Sequence, residues 1–189
     1  APMGNLHQRL SASPVIAAVK DEAMLDAALA SGCEIVFMLT GNICTIEDVV
    51  RRIQSAGKEA YIHLDLMEGF GRDKHTIRYI KERIGPDGII TTRTPLAKTA
   101  REYGLTTIQR LFLIDNLSIE TGIQSVGQVK PDAIEIMPGI MPKIVRRICS
   151  AVQVPVIAGG LINEKEDIIG CLGAGAVGIS TSKQELWDI

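Results

Sequence analysis

The chain reads as an eight-stranded parallel barrel, a (β/α)8 or TIM-type α/β fold of minimal size, and three features of its sequence lead there. Eight short runs of strand character recur from end to end, and amphipathic stretches separate them. Several of the runs are apolar at consecutive positions instead of alternating, as strands covered on both faces are. Strands buried on both sides and joined by helical crossovers lie parallel, and eight such units have a closed solution. The strand readings are, in order, Val15 to Val19, Ile35 to Leu39, Ala60 to Leu66, Gly88 to Thr92, Thr107 to Ile114, Ala133 to Met137, Val154 to Ala158 and Ala176 to Ser180. Helix readings such as Glu22 to Ala30, Ile46 to Ala56, His75 to Ile84 and Ile140 to Ser150 carry apolar residues three and four apart. With no Pro/Ser-rich linker and no shift in composition, residues 1–189 are expected to form a single barrel domain. An open doubly wound sheet is the competing expectation, but it would usually place a Gly-rich turn after the first strand, where this chain has Lys20-Asp21-Glu22.

Composition excludes several function classes. Twenty basic residues face 22 acidic ones for a net charge of −2, so no strong overall field advertises a polyanionic partner. The longest unbroken apolar runs, Val15 to Val19 and Ile35 to Leu39, are far short of the ~18 residues that cross a bilayer. Ala1 to Leu10 has no apolar h-region, so a secretory signal is not expected and a soluble, cytoplasmic protein is. Cys33, Cys44, Cys149 and Cys171 form no CxxC pair and sit in or beside apolar segments, as buried free thiols do. Neither a metal site nor a cofactor is expected.

The strongest chemical signal comes late in the chain. Val156-Ile157-Ala158-Gly159-Gly160 is followed, after the next strand, by Ser180-Thr181-Ser182. Paired glycines let backbone amides approach a phosphate, and Ser or Thr at a helix start adds hydroxyl donors beside free N–H groups. In eight-fold barrels such a cup is built after strands seven and eight, where both motifs fall. Gly159, Gly160, Ser180, Thr181 and Ser182 are therefore the candidate phosphate ligands. A tight turn and a helix N-cap are the bland readings of the same residues.

Polar side chains within or just after apolar strands make a second set: Lys20, His63, Asp65, Arg93, Arg110 and Glu135. Alternation along a strand puts His63 and Asp65 on one face. Arg110 and Glu135, on neighbouring strands, are expected to form a bidentate ion pair, since charge inside a barrel is costly unless paired. That pair is either a structural layer or the floor of a site for polyol hydroxyls; Lys20, Asp65 and Arg93 lie nearer the strand ends, where ligand contact is favoured. No G-x-S-x-G elbow is present, and no third ligand except the distant Glu135 is spaced to complete a metal site with His63 and Asp65. For a Schiff base only Lys20 is placed suitably, because Lys58 and Lys130 precede strands on the face opposite the loops. The basic clusters Arg51-Arg52, Lys143 with Arg146-Arg147, and Arg72 with Lys74 read as solvated helix faces or loops.

Six segments together carry a family resemblance: His63-Leu64-Asp65-Leu66-Met67-Glu68-Gly69, Gly88 to Arg93, Ile108-Gln109-Arg110-Leu111-Phe112-Leu113-Ile114-Asp115, Lys130 to Gly139, Pro155 to Gly160, and Ser180-Thr181-Ser182 with Leu186-Trp187. Over nearly the whole chain they resemble the glycerol-3-phosphate-responsive antiterminators. The resemblance implies a bacterial cytoplasmic barrel protein that senses glycerol 3-phosphate and acts on the leader mRNA of glycerol-uptake genes, letting transcription pass a terminator. Carried over by position, the phosphate would sit against Gly159, Gly160, Ser180, Thr181 and Ser182, with Lys20, Asp65, Arg93, Arg110 and Glu135 toward the glycerol end. RNA recognition would reside on the strand-end rim or in a homo-oligomer, with Arg51, Arg52, Lys143, Arg146 and Arg147 as candidates for RNA phosphate contacts. The alternative expectation is an enzyme of small phosphorylated polyols or sugars, with Asp65 or Glu135 as general base and Lys20 or Arg110 steadying negative charge.

Overall fold

Eight parallel strands pair in sequence order, and the last returns to pair with the first, closing a barrel. The computed structural model describes residues 4–189, so Ala1 to Met3 of the amino-terminal stretch lie outside the described residues. The strands are β1 (Val15–Val19), β2 (Ile35–Met38), β3 (Glu59–His63), β4 (Gly88–Thr91), β5 (Thr106–Phe112), β6 (Ala133–Met137), β7 (Val156–Gly159) and β8 (Gly178–Thr181). Helix α1 (Gly4–Ala12) precedes β1; α2 (Leu25–Ala30), α3 (Ile46–Ser55), α4 (Lys74–Tyr79), α5 (Thr94–Glu102), α6 (Asn116–Val129), α7 (Pro142–Ala151) and α8 (Lys165–Gly173) make the seven crossovers. The TIM-type barrel expected from the sequence is thus the fold.

Alternation along each strand sorts the core into two shells. Outward residues such as Val36, Ile62, Ile89, Ile134 and Ile179 pack under the helices. Each helix meets them with a stripe at helical spacing; in α3 it is Ile46, Val49, Val50 and Ile53. Inward residues Ile16, Phe37, Tyr61, Ile90, Ile108 and Ile157 fill the barrel, joined by Leu6 and Leu10 of α1. That helix stoppers the amino-terminal end of the barrel. A Cβ on Gly178 would come within 2.7 Å of the Leu10 side chain, so the glycine leaves room for the stopper. Among the described residues a 3-10 turn, Gln184–Leu186, follows β8 and carries Trp187, whose indole donates to the Thr181 carbonyl at 2.8 Å.

Six strands end or begin differently from their sequence readings, β2 and β4 by a single residue and the other four by two or more. β3 stops at His63, because the Asp65 carboxylate accepts hydrogen bonds from Thr91 Oγ1, Thr92 N–H and Thr92 Oγ1 and draws Leu64–Leu66 into a 3-10 turn. β5 stops at Phe112, beyond which the N–H groups of Ile114 and Asp115 donate to Ser118 Oγ. β7 starts after Pro155, which has no N–H for the ladder. β8 starts at Gly178 because Ala176 N–H is still tied back to the Cys171 carbonyl. The cysteines also divide: Cys33 and Cys171 are buried, Cys149 is half-buried, and Cys44, on the loop after β2, is exposed, against the expectation of burial. Among the described residues no helix is long and apolar enough to cross a membrane, and no group of three His, Cys, Asp or Glu side chains is placed to hold a metal.

Candidate functional site

The carboxyl-terminal end of the barrel holds a cavity of about 330 Å³, within the range that small ligands occupy. Its floor is a buried polar network on three strands. Arg110 of β5 lies in register with Glu135 of β6, and Arg110 Nε meets Glu135 Oε1 at 2.6 Å. The other carboxylate oxygen, Oε2, accepts from Ser180 Oγ of β8 at 2.5 Å. The ion pair is therefore a single contact rather than the expected bidentate one, since Ser180 holds the second oxygen. With one partner on each of its oxygens, Glu135 holds the Arg110 guanidinium and the Ser180 hydroxyl in fixed positions. The terminal nitrogens of Arg110, which lines the cavity, donate to no residue among those described.

Two loops make the walls. Gly160, Leu161, Ile162 and Asn163 follow β7, and Ser180, Thr181, Ser182 and Lys183 end β8; Lys20, just past β1, completes the ring. The structure thus brings the two late motifs and Lys20, Arg110 and Glu135 around one space. Their individual parts differ from the sequence reading. Gly159 faces inward but lies under the floor: its Cβ would fall 2.4 Å from Ser180 Oγ and 3.1 Å from Glu135 Oε2. It is glycine so that the Ser180–Glu135 bond can form. Gly160 lines the cavity in a left-handed conformation (φ 82°), where a Cβ would meet Met137 at 3.1 Å. Leu161 also has positive φ (61°) and is exposed, a strained position for a branched residue on a loop at the mouth. Thr181 Oγ1 donates to the Ile162 carbonyl and accepts from Lys183 N–H, tying the two walls together. Ser182 Oγ donates to the Ala18 carbonyl at 2.8 Å and caps no helix, since only the short 3-10 turn follows. Among the described residues the amides of Gly160, Leu161 and Ser182 have no partner.

Asp65 and Arg93 stand outside the cavity lining. Burial alone would raise the pKa of Asp65, but the hydrogen bonds from Thr91 and Thr92 outweigh it and hold the carboxyl below its usual range. Its work is to pin the turn after β3. Arg93 is exposed at the start of α5, with its amide donating to Thr91 Oγ1. His63, inward on β3, is almost wholly buried, and its Nδ1 has no partner. Burial, then the nearby Arg110 charge, lower its pKa to about 4, so it is neutral at physiological pH. Leu161, Asn163 and Lys183 were not singled out from the sequence. Lys183 was visible there as the residue directly after Ser180-Thr181-Ser182; Asn163 had no such marker.

The basic clusters do not form one surface. Arg51 and Arg52 lie on α3, between β2 and β3, while Lys143, Arg146 and Arg147 lie on α7, between β6 and β7, half the circumference away. Arg51 pairs with Glu47 at 2.5 Å and Arg52 with Asp26 at 2.6 Å.

Comparison with known proteins agrees with the barrel. The family model for the glycerol-3-phosphate responsive antiterminator matches residues 15–187. The uncharacterized protein YgcP of Escherichia coli K12 is 42% identical over 180 residues, covering 95% of this chain and 94% of its own. The glycerol uptake operon antiterminator regulatory protein of Listeria monocytogenes superposes with a TM-score of 0.88 at 33% identity, over 92% of this chain and 94% of that one. A glycerol uptake operon antiterminator-related protein from Thermotoga maritima superposes with a TM-score of 0.82 at 28% identity, over 93% and 98%. With the match running across every strand of the barrel and through both walls of the cavity, this chain belongs to the glycerol-3-phosphate responsive antiterminator family.

Proposed function

We propose that the protein is a cytoplasmic regulator that binds glycerol 3-phosphate at the barrel mouth and, when loaded, acts on the leader mRNA of glycerol-uptake genes so that transcription passes a terminator. The observation that carries the reading is the distribution of charge around the cavity. Arg110 is already neutralised by Glu135, whereas Lys20 and Lys183 line the same space outside any ion pair among the described residues. Two uncompensated lysines match a phosphate monoester dianion. The unengaged amides of Gly160, Leu161 and Ser182 add donors of the kind that cradle phosphate oxygens. Gly159, Ser180 and Thr181 shape this cup from beneath and behind. The neutralised Arg110 of the floor and Asn163 of the wall after β7 offer hydrogen bonds to hydroxyls without adding net charge. Binding then favours one arrangement of the strand-end loops, by no more than its difference in affinity between the two.

A thermal unfolding titration tests this. Glycerol 3-phosphate at one hundred times its Kd raises the stability of the native state by about 2.7 kcal/mol, and glycerol alone gives no shift. Lys20→Met combined with Lys183→Met removes the effect while leaving the melting temperature of the free protein near that of wild type. No shift with wild-type protein at any millimolar concentration overturns the proposal. So does conversion of the ligand to a new species in 31P NMR, which would establish an enzyme.

A further inference from the structure

We infer that single-stranded RNA docks on the outer face of α7 and the neighbouring rim of the barrel, beside the ligand cavity. The inference rests on the RNA-directed reading above and gives it a surface. Lys143, Arg146 and Arg147 are exposed on one side of α7, spaced three and four apart, and that helix holds no carboxylate. None of the three forms an ion pair among the described residues, whereas Arg9, Arg51, Arg52, Arg78, Arg101 and Arg110 each do. Like charges at this spacing oppose the helix that carries them. Among the described residues no carboxylate lies within ion-pair distance to compensate that repulsion, and a polyanion would.

The adjoining rim supplies the second element of single-strand recognition. Phe112, one pleat above Arg110 on β5, is half exposed, and Ile114 and Leu117 after β5 and Met141 after β6 are exposed as well. The Arg147 guanidinium reaches Asn116 Oδ1 at 3.3 Å, tying α7 to the start of α6, next to Leu117 and two residues from Ile114. An exposed aromatic ring on the rim from which α7 starts suits a base stacked on the ring while its backbone follows the cations of that helix. The rim also joins the cavity, since Met137 of β6 lines it and Met141 caps α7 four residues later.

The rival basic stretch, on α4 and the π-turn after it, is more committed. There Arg78 pairs with Glu82, Lys81 donates to the Tyr103 carbonyl, and Tyr79 packs on Phe70. It lies between β3 and β4, away from the strands that build most of the cavity.

The test measures binding of a labelled, mixed-sequence single-stranded RNA of about 16 nucleotides to protein saturated with glycerol 3-phosphate, at about 50 and 200 mM KCl. Three phosphate contacts at a slope of −0.7 each weaken wild-type binding by about 20-fold over that interval. The triple variant K143S/R146S/R147S loses this component of the salt dependence and melts at or slightly above the wild-type temperature. Phe112→Ala weakens binding several-fold with an unchanged slope, and the control R78S/R83S binds as wild type. Loss in the α4 control with the triple variant intact overturns the α7 surface alone. Absence of any RNA binding by folded, ligand-saturated wild-type protein overturns the RNA-directed reading with it. Equal competition by oligoglutamate of the same charge assigns the surface to an acidic protein and removes RNA as its occupant.

Discussion

His63 and Glu135 show how a buried polar side chain is explained by what surrounds it. His63 is neutral in the folded barrel down to about pH 4, whereas in the unfolded chain it takes up a proton near 6.5. Between those values the unfolded state binds more protons, so the stability His63 contributes is whole above pH 6.5 and is lost as pH falls toward 4. Denaturant unfolding should show wild type losing roughly 3 kcal/mol relative to His63→Gln across that window. A difference that stays constant with pH would mean the imidazole is solvated. Ser180→Ala leaves Glu135 Oε2 without its donor beside a buried guanidinium, and costs about 1–3 kcal/mol of stability, read by urea midpoint. Glycerol 3-phosphate affinity should fall in the same variant, because Arg110 loses its fixed orientation. Arg110 and Glu135 were legible as a pair from the sequence, since both interrupt apolar strands and sit in adjacent ones. Ser180 was legible as polar, but its bond to Glu135 was not, because that partner lies 45 residues away in sequence and two strands along the barrel.

At the scale of elements, α1 is the least expected part. Its sequence, Gly4 to Ala12, has a weak apolar stripe, and nothing local marks it as the plug of a barrel. Its Leu10 is nonetheless buried among inward residues of the strands. Leu10→Ala therefore behaves as a core truncation and costs about 2–5 kcal/mol, measured by chemical denaturation. A loss below about 0.5 kcal/mol, typical of surface positions, would show that α1 does not seal the barrel. Other helices carry local signals at their starts: Asp73 caps α4, Pro95 lies in the first turn of α5, and Asp115 with Ser118 makes the capping box of α6. Strand ends were less readable. Asp65 stood in what looked like a continuous run from Ala60, and only its three hydrogen bonds to Thr91 and Thr92 convert that run into a turn.

For the molecule as a whole, the site exists only because the barrel closes. Lys20 follows the first strand and Ser182 and Lys183 follow the last; pairing of β1 with β8 makes them neighbours, and the Ser182 hydroxyl bonds across that seam to Ala18. The same closure separates the basic clusters of α3 and α7 by half a turn of the barrel. The sequence by itself determined the eight-fold alternation, the parallel sheet, the family, and the end of the barrel at which polar residues gather. These follow from periodicity and residue type, which are local. Tertiary structure alone decided that Gly159 serves the floor instead of the cup, that Asp65 and Arg93 leave the cavity while Lys183 and Asn163 enter it, and that the charges of Arg51 and Arg52 are cancelled. Those outcomes depend on which side chains meet across strands distant in sequence, and no local pattern encodes a distance between them.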